Sequence, residues 1–242
     1  MTMGTIYGVG LGPGDAELMS VRADRLIRSA RNVAFFRKAG RSGQARGIVD
    51  GMLCEDAREI AMEYPVTTEV RFDDPRYAEI LSDFYRDCTD RLCALTATGE
   101  DVVVLCEGDP FFYGSFMHLH SRLEGICRVE VVPAITGMSG AWTASGRPIT
   151  WGDDVLTVLM ATLPQDDLER HMQTADALVV MKIGRNIDKI RAALRQVGRY
   201  DEAWLIEYAT MPGQTVTRLR DAGERAVPYF SIVLLHGSGR RP

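Results

Sequence analysis

Three stretches of this chain gather glycine, proline and a short acid or hydroxyl where an apolar run ends: "VGLGPGD" at 9–15, "CEGDPFFYG" at 106–114 and "VVPAITGMSGA" at 131–141. Glycine lets backbone approach a ligand closely, and proline stiffens the turn. The first stretch fits neither common phosphate-binding pattern. G-x-G-x-x-G fails because its sixth position is Pro13 counted from Gly8 and Asp15 counted from Gly10, and a P-loop fails because no Gly-Lys-Ser/Thr follows. Gly10, Gly12 and Gly14 therefore predict a backbone cradle for a flat ligand, not built for phosphate. In the second stretch Gly108 opens the backbone, and Asp109 before Pro110 is an acidic acceptor for a hydroxyl or an ammonium. In the third, Thr136 and Gly137 are expected to face the same crevice. Each stretch taken singly also reads as a plain tight turn; the three together argue for one ligand site.

Such loops need strands to carry them. Short apolar, β-branched runs alternate with helical periods, the pattern of parallel strands joined by crossover helices, and the fold class is α/β. Strands are predicted at 5–9, 32–36, 101–106 and 129–132, with helices at 20–30, 44–53 and 76–97. Ala23, Leu26, Ile27 and Ala30 recur at helical spacing behind Ser20, a good N-cap. The Gly/Pro-rich passage "PAITGMSGAWTASGRPITWG" marks a boundary, so two α/β lobes are expected, 1–138 and 139–242, with a cleft between them. Strands resume at 155–160, 177–181, 203–208 and 229–235, with a helix at 186–197. There is no internal repeat and no low-complexity tract.

Composition narrows the function classes. The 242 residues are 46% apolar and 25% charged, enough for a real core. No run approaches the ~18 apolar residues of a membrane span and no secretion signal is evident, so no membrane contact and a cytoplasmic location are expected. A net charge of −5 without long runs of one sign leaves no footprint for nucleic acid. Cys54, Cys88, Cys93, Cys106 and Cys127 show no metal or disulfide spacing and are expected to be mostly buried thiols. The pair in "HLH" at 118–120 lies on a predicted helix, where residues two apart face different ways, so no metal is expected. "WGDD" at 151–154 reads as a turn with Asx bonding.

The order of the three loops, followed by "VVMKIG" at 179–184 and "EYATMPGQ" at 207–214, resembles the tetrapyrrole (corrin/porphyrin) methyltransferases that use S-adenosylmethionine, over nearly the whole chain. The segments "ATMPGQ" and "PYFSIVLLHG" are most similar to the branch that serves cobalamin biosynthesis. The resemblance implies a homodimer and a cofactor folded between the lobes. It is held largely by backbone groups of Pro13, Gly108, Asp109, Phe112, Thr136, Gly137, Met181, Lys182, Ile183 and Ala209, with Phe112 and Met181 as apolar walls. For either wall taken singly, an ordinary core residue at a strand end is an equal reading.

Methyl transfer needs carbon, methyl and sulfur nearly in line, and positioning supplies ~7–11 kcal/mol of such a barrier. No covalent intermediate is required, which agrees with the lack of G-x-S-x-G or HExxH. Asp109 and Tyr229 are the candidates for proton handling. The implied substrate carries many carboxylates, for which Arg37, Lys38, Arg41, Arg46, Arg147, Lys182 and Arg185 are candidate partners, although a solvated surface explains any one of them. The rival readings are methylation at another ring position, a relative acting on RNA or protein, and a non-catalytic sensor of adenosylmethionine.

Overall fold

A computed structural model describes residues 2–66 and 74–240. The chain divides into two compact units, Met1–Thr136 and Gly137–Pro242.

The first unit carries β1 (Thr5–Gly10), α1 (Val21–Ser29), β2 (Asn32–Lys38), α2 (Gln44–Ile48), β3 (Arg58–Tyr64), α3 (Pro75–Ala97), β4 (Val102–Cys106), α4 (Phe116–Leu123) and β5 (Arg128–Val132). Its five strands form one parallel sheet in the order β3-β2-β4-β1-β5. A parallel sheet covered on both faces needs central strands that are apolar throughout, and "VVVLC" of β4 is buried at every position. Alternation along β4 divides it between two layers. Val102, Val104 and Cys106 pack with Tyr85 and Leu92 of α3 and with Phe116, Leu119 and Leu123 of α4. Val103 and Leu105 pack with Ala23 and Ile27 of α1 and Ala45 of α2. Gly8 leaves the space on β1 that the Phe116 ring fills. The Ser20 hydroxyl accepts from the Ala23 amide at 3.1 Å, which caps α1 as its sequence requires.

The second unit contains α5 (Gly137–Ala144), β6 (Leu156–Met160), α6 (Gln165–Thr174), β7 (Ala177–Met181), α7 (Ile187–Gln196), β8 (Trp204–Glu207), β9 (Thr215–Arg218) and β10 (Ser231–Leu235). Its sheet runs β6-β7-β10-β8-β9. Here the expectation of parallel strands is corrected: β10 is antiparallel to both β7 and β8, and β9 is antiparallel to β8. Residues 208–214 are too few for a crossover, so β8 and β9 close as a hairpin. One face packs Leu168 and Met172 of α6 with Ile187, Ile190 and Leu194 of α7; the other packs Ala141 of α5 with Val179, Ile206 and Leu234.

Several boundaries differ from the sequence reading. α2 stops at Ile48, five residues before the predicted end at 53, and β10 starts at Ser231 rather than at 229. β3 and β9 were not predicted; their exposed edge positions dilute the apolar signal. α5 lies in the glycine-rich passage read as a boundary, and it is helical because Ala141 packs against the sheet. All five cysteines are free, but only Cys88 and Cys106 are buried, so the expectation of mostly buried thiols holds for two of them. "WGDD" forms the expected turn, closed by the Asp154 amide donating to the Trp151 carbonyl at 2.9 Å, but the Asp154 carboxylate accepts backward from the Trp151 amide at 2.8 Å instead of making the forward bond of an Asx turn. Among the described residues no helix is long and apolar enough to cross a membrane.

Behind β10, the His236 Nδ1 lies 3.0 Å from the Pro148 carbonyl and its Nε2 lies 3.3 Å from the Ser145 hydroxyl. Burial, then the nearby Arg147 and Arg218 charges, hold this imidazole below the ordinary value of 6.5, against the opposing pull of the Pro148 carbonyl. A depressed histidine stabilises the fold while neutral, so its contribution is present above 6.5 and is lost as pH falls through and below that value. Thermal unfolding midpoints are therefore expected to drop on acidification through this window, and His236→Asn should flatten that part of the curve.

Candidate functional site

In the first sheet β1 and β4 are neighbours, yet the chain leaves them in opposite directions. From β1 it passes through α1 to β2, and from β4 through α4 to β5 on the far side of β1. This is a topological switch point, and the carboxyl ends of such strands are where open parallel sheets bind ligands. Two of the three loops singled out in the sequence leave from these two ends.

The loops are joined to each other. Gly12 and Gly108 form an antiparallel bridge, with the Gly108 amide donating to the Gly12 carbonyl at 2.9 Å. The Leu11 amide donates to the Cys106 carbonyl at 2.9 Å. Asp109 links the second loop to the third: one carboxylate oxygen accepts from the Phe111 amide and the other from the Ala134 amide, each at 2.9 Å. At the centre, a Cβ on Gly10 would lie 2.5 Å from the Ala134 Cβ, 2.8 Å from the Gly108 carbonyl oxygen and 2.9 Å from the Pro110 Cδ. This corrects the reading of the first glycines. The space beside Gly10 belongs to the neighbouring loops, and that above Gly12 to the Leu18 carbonyl at 3.2 Å, not to a ligand.

In the first unit, Pro13 is buried, Gly108 and Phe112 are half-buried, and Thr136 follows two residues after the Asp109-bonded Ala134. The Phe112 ring meets Tyr113 edge-on at 4.9 Å. The fold thus brings Pro13, Gly108, Asp109 and the strand leading to Thr136 to one edge.

The second unit has a matching edge. Because β10 runs against β7 and β8, its amino end lies beside their carboxyl ends: Ser231 pairs with Glu207, and the Tyr208 amide donates to the Phe230 carbonyl at 2.8 Å. Tyr229, 65% exposed, therefore stands at the edge from which the Ala209 loop departs. Met181 ends β7, and Lys182 follows with its ammonium pushed down by burial. Met181, Ala209 and Met138 of α5 share one apolar cluster, one residue after Gly137. Ile183 is fully buried in the core on the other face, so only its backbone is free to meet a ligand.

Strained backbone concentrates in the same places. Among the described residues the non-glycine positions with positive φ are Tyr113 (54°), Lys182 (54°), Tyr208 (52°) and Thr210 (64°). Such conformations cost on the order of 1–3 kcal/mol and persist where surrounding structure holds them. Around Ala209 the holding bonds are visible. The Thr210 amide donates to the Gln214 side chain at 2.7 Å, and buried Glu207 joins Arg225 and Thr215, with Arg225 Nη1 at 2.9 Å and the Thr215 hydroxyl at 3.0 Å.

Of the candidate basic partners, Arg37 is paired with Glu63, Arg46 with Glu59 and Asp50, and Arg147 stacks over Trp204 at 5.7 Å. Arg41 and Arg185 are exposed. His118 and His120 point apart as expected, the first against Tyr85 at 4.8 Å and the second against Phe111 at 4.7 Å. A polar groove of about 380 Å³ beside Ala175 and Asp176 opens at the amino end of β7, away from these loops.

The sequence reading passed over one ionisable residue in the second loop. Glu107 is the first residue beyond β4; water reaches its side chain, yet the protein around it opposes ionisation and pushes the carboxyl up to about 7, against the opposing hydrogen bond from the Ala45 amide. Its place beside Gly108 was readable, but its surroundings were not.

Glycine-bearing loops at a parallel-sheet switch point, with strained loops at the edge of a second mixed sheet, define an α/β protein whose two units each present a candidate ligand-binding edge. The chain belongs to the tetrapyrrole (corrin/porphyrin) methylases, whose family model matches residues 5–222. It is 46% identical over 240 residues to a precorrin-2 C(20)-methyltransferase from Sinorhizobium sp, covering 99% of this chain and 98% of that one. It is 26% identical to a cobalt-precorrin-2 C(20)-methyltransferase from Salmonella typhimurium, covering 96% of each. A solved uroporphyrin-III C-methyltransferase from Thermus thermophilus in complex with S-adenosylhomocysteine shares the fold, with a TM-score of 0.68, 23% identity and coverage of 96% of this chain and 92% of that one.

Two substitutions test the joined loops. Gly10→Ala should destabilise the protein by ~1–3 kcal/mol through overpacking. Asp109→Asn removes one of two backbone acceptors and should cost a similar ~1–3 kcal/mol. Urea unfolding read by circular dichroism checks both; a loss of cofactor affinity without loss of stability would show that Asp109 acts on the ligand alone.

Proposed function

We propose that this chain is an S-adenosylmethionine-dependent methyltransferase that methylates C20 of precorrin-2, giving precorrin-3A in cobalamin biosynthesis. The observation that carries this reading is the 46% identity to the Sinorhizobium enzyme over essentially the full length of both chains. The lower identity to the cobalt-precorrin-2 enzyme, 26%, favours the metal-free substrate.

The residues present suit adenosylmethionine. In the first unit half-buried Phe112 offers apolar surface and the loops around Gly108 and Thr136 present backbone groups; in the second, half-buried Met181 and the Ala209 loop offer the same two kinds of contact, the kinds that adenine, ribose and an amino-acid end need. When bound, this co-substrate supplies an electrophilic methyl group. The protein's part is then orientation, worth ~7–11 kcal/mol where the reacting atoms are held in line. Pro13, Gly108, Thr136 and Gly137 are assigned to backbone contacts, together with Met181, Lys182, Ile183 and Ala209. Asp109 is assigned a positioning role, since both its oxygens hold neighbouring loops. Tyr229, exposed at the edge of the second sheet, is assigned to orienting the tetrapyrrole through its hydroxyl. Burial holds the Lys182 ammonium below its ordinary value, and a guanidinium fork matches a carboxylate better than an ammonium, so exposed Arg41 and Arg185 are the preferred partners. A cytoplasmic homodimer completes the proposal, and light scattering at twice the 26.8 kDa chain mass checks the dimer.

Incubation with adenosylmethionine and either precorrin-2 or cobalt-precorrin-2 should transfer one methyl group, assigned to C20 by NMR, and faster to the metal-free ring. Tight binding of adenosylmethionine without transfer to either ring would identify a sensor instead. Tyr229→Phe keeps the ring and deletes the hydroxyl, so adenosylmethionine affinity should hold while turnover falls by less than the ~100-fold usual for acid–base help. A wild-type rate at saturating precorrin-2 would return Tyr229 to a surface residue.

A further inference from the structure

Methylation at a ring carbon that bears hydrogen leaves a proton to remove, and the carboxylates of the switch point are not equally able to take it. Three acids leave the ends of β1 and β4. Asp15 caps the turn at Ala16–Leu18, accepting from the Glu17 amide at 2.9 Å. Asp109 has one oxygen on Phe111 and the other on Ala134. Glu107 is the first residue past β4, adjoins the Gly108 that bridges to Gly12, and remains open to water.

We propose that Glu107 is the proton acceptor of the methyl transfer, taking the hydrogen from the methylated ring carbon; this rests on the functional reading above. The step balances. An electron pair of the ring forms the new carbon–methyl bond while the S–CH3 pair stays on sulfur, leaving S-adenosylhomocysteine. The C20–H bond then breaks, its pair returns to the ring system and its proton passes to the Glu107 carboxylate.

The surroundings of Glu107 support the assignment. A general base works best with a pKa near the working pH. The protein packed around this water-accessible carboxyl pushes it up to about 7, and the hydrogen bond from the Ala45 amide at the start of α2 keeps part of its acidity. No cation contributes to the shift. Arg46 on α2 is held by Glu59 and Asp50. On its own strand the titratable neighbour is the Cys106 thiol, driven far up by burial and then by the Asp109 and Glu107 charges, so it stays protonated. Asp109 is the remaining charged group of the loop.

The test compares wild type, Glu107→Gln and Glu107→Asp in single-turnover methylation of precorrin-2 with saturating adenosylmethionine, across the pH range either side of about 7, with adenosylmethionine affinity measured by calorimetry. Wild type should show a rate that rises with pH and levels off above about 7. Glu107→Gln should slow transfer on the order of 100-fold and lose that rising limb, with adenosylmethionine affinity unchanged. Glu107→Asp, which keeps the carboxylate, should keep a displaced limb and part of the rate, and it decides the matter if the Gln variant does not fold. A Gln variant with the wild-type rate and pH profile overturns the proposal, as does a slowed one whose pH limb persists. If wild type methylates a different ring position, or the cobalt form in preference to the metal-free ring, the functional reading fails, while the same comparison on the favoured substrate still decides the role of Glu107. If wild type methylates none of these rings, both fall.

Discussion

The site of the first unit depends on one close approach: backbone of the β1 loop lying against backbone of the β4 loop where Gly10 has no side chain. A single methyl group there would fall within 3 Å of Ala134, Gly108 and Pro110 at once. With that space empty, the Gly12–Gly108 bridge can form and Asp109 can reach the Ala134 amide. Three loops that are far apart in sequence then behave as one rim. Loops normally lose order to entropy, at roughly 1–2 kcal/mol of backbone freedom per residue, and these are ordered by bonds to each other in place of a ligand.

The second unit reaches a comparable rim by another route. Inserting antiparallel β10 between β7 and β8 places a strand's amino end among carboxyl ends, so Tyr229 stands beside the Ala209 loop although residues 210–228 separate them. The strained φ values at Lys182, Tyr208 and Thr210 mark where this rim departs from easy backbone geometry. The ion pair of buried Glu207 with Arg225, beneath Tyr208, holds the chain there. A lone buried carboxylate would be costly, and the bidentate guanidinium together with Thr215 keeps it ionised, below the usual carboxylate range.

Charge follows the same division between what holds the fold and what faces outward. Arg37 and Arg46 were attractive partners for an acidic substrate as isolated residues, yet each stands on a strand or helix beside its own carboxylate. Glu107, which carries no special residue signature, is left as the carboxyl at the switch point whose ionisation is opposed by the protein around it.

Local chemistry made much of this protein legible in its amino-acid sequence. The apolar runs of β1, β2, β4 and β7, the Ser20 cap, the long α3 and the three glycine-bearing loops are each set by neighbours in the chain, through alternation, capping and turn propensity. The loop order also carried the family resemblance, and with it the methyl donor and the tetrapyrrole. Tertiary structure decided what depends on distant partners. Strand direction in the second sheet turned on where β10 inserts, which no local pattern encodes. The space beside Gly10 is filled by Ala134 and Pro110, each a hundred positions or more further along the chain, so the glycine read as a ligand cradle serves loop contact. Asp109 and Glu107 lie two residues apart with the same functional group. Only the fold, by giving one two backbone amides and the other a crowded but water-accessible place over α2, makes them different.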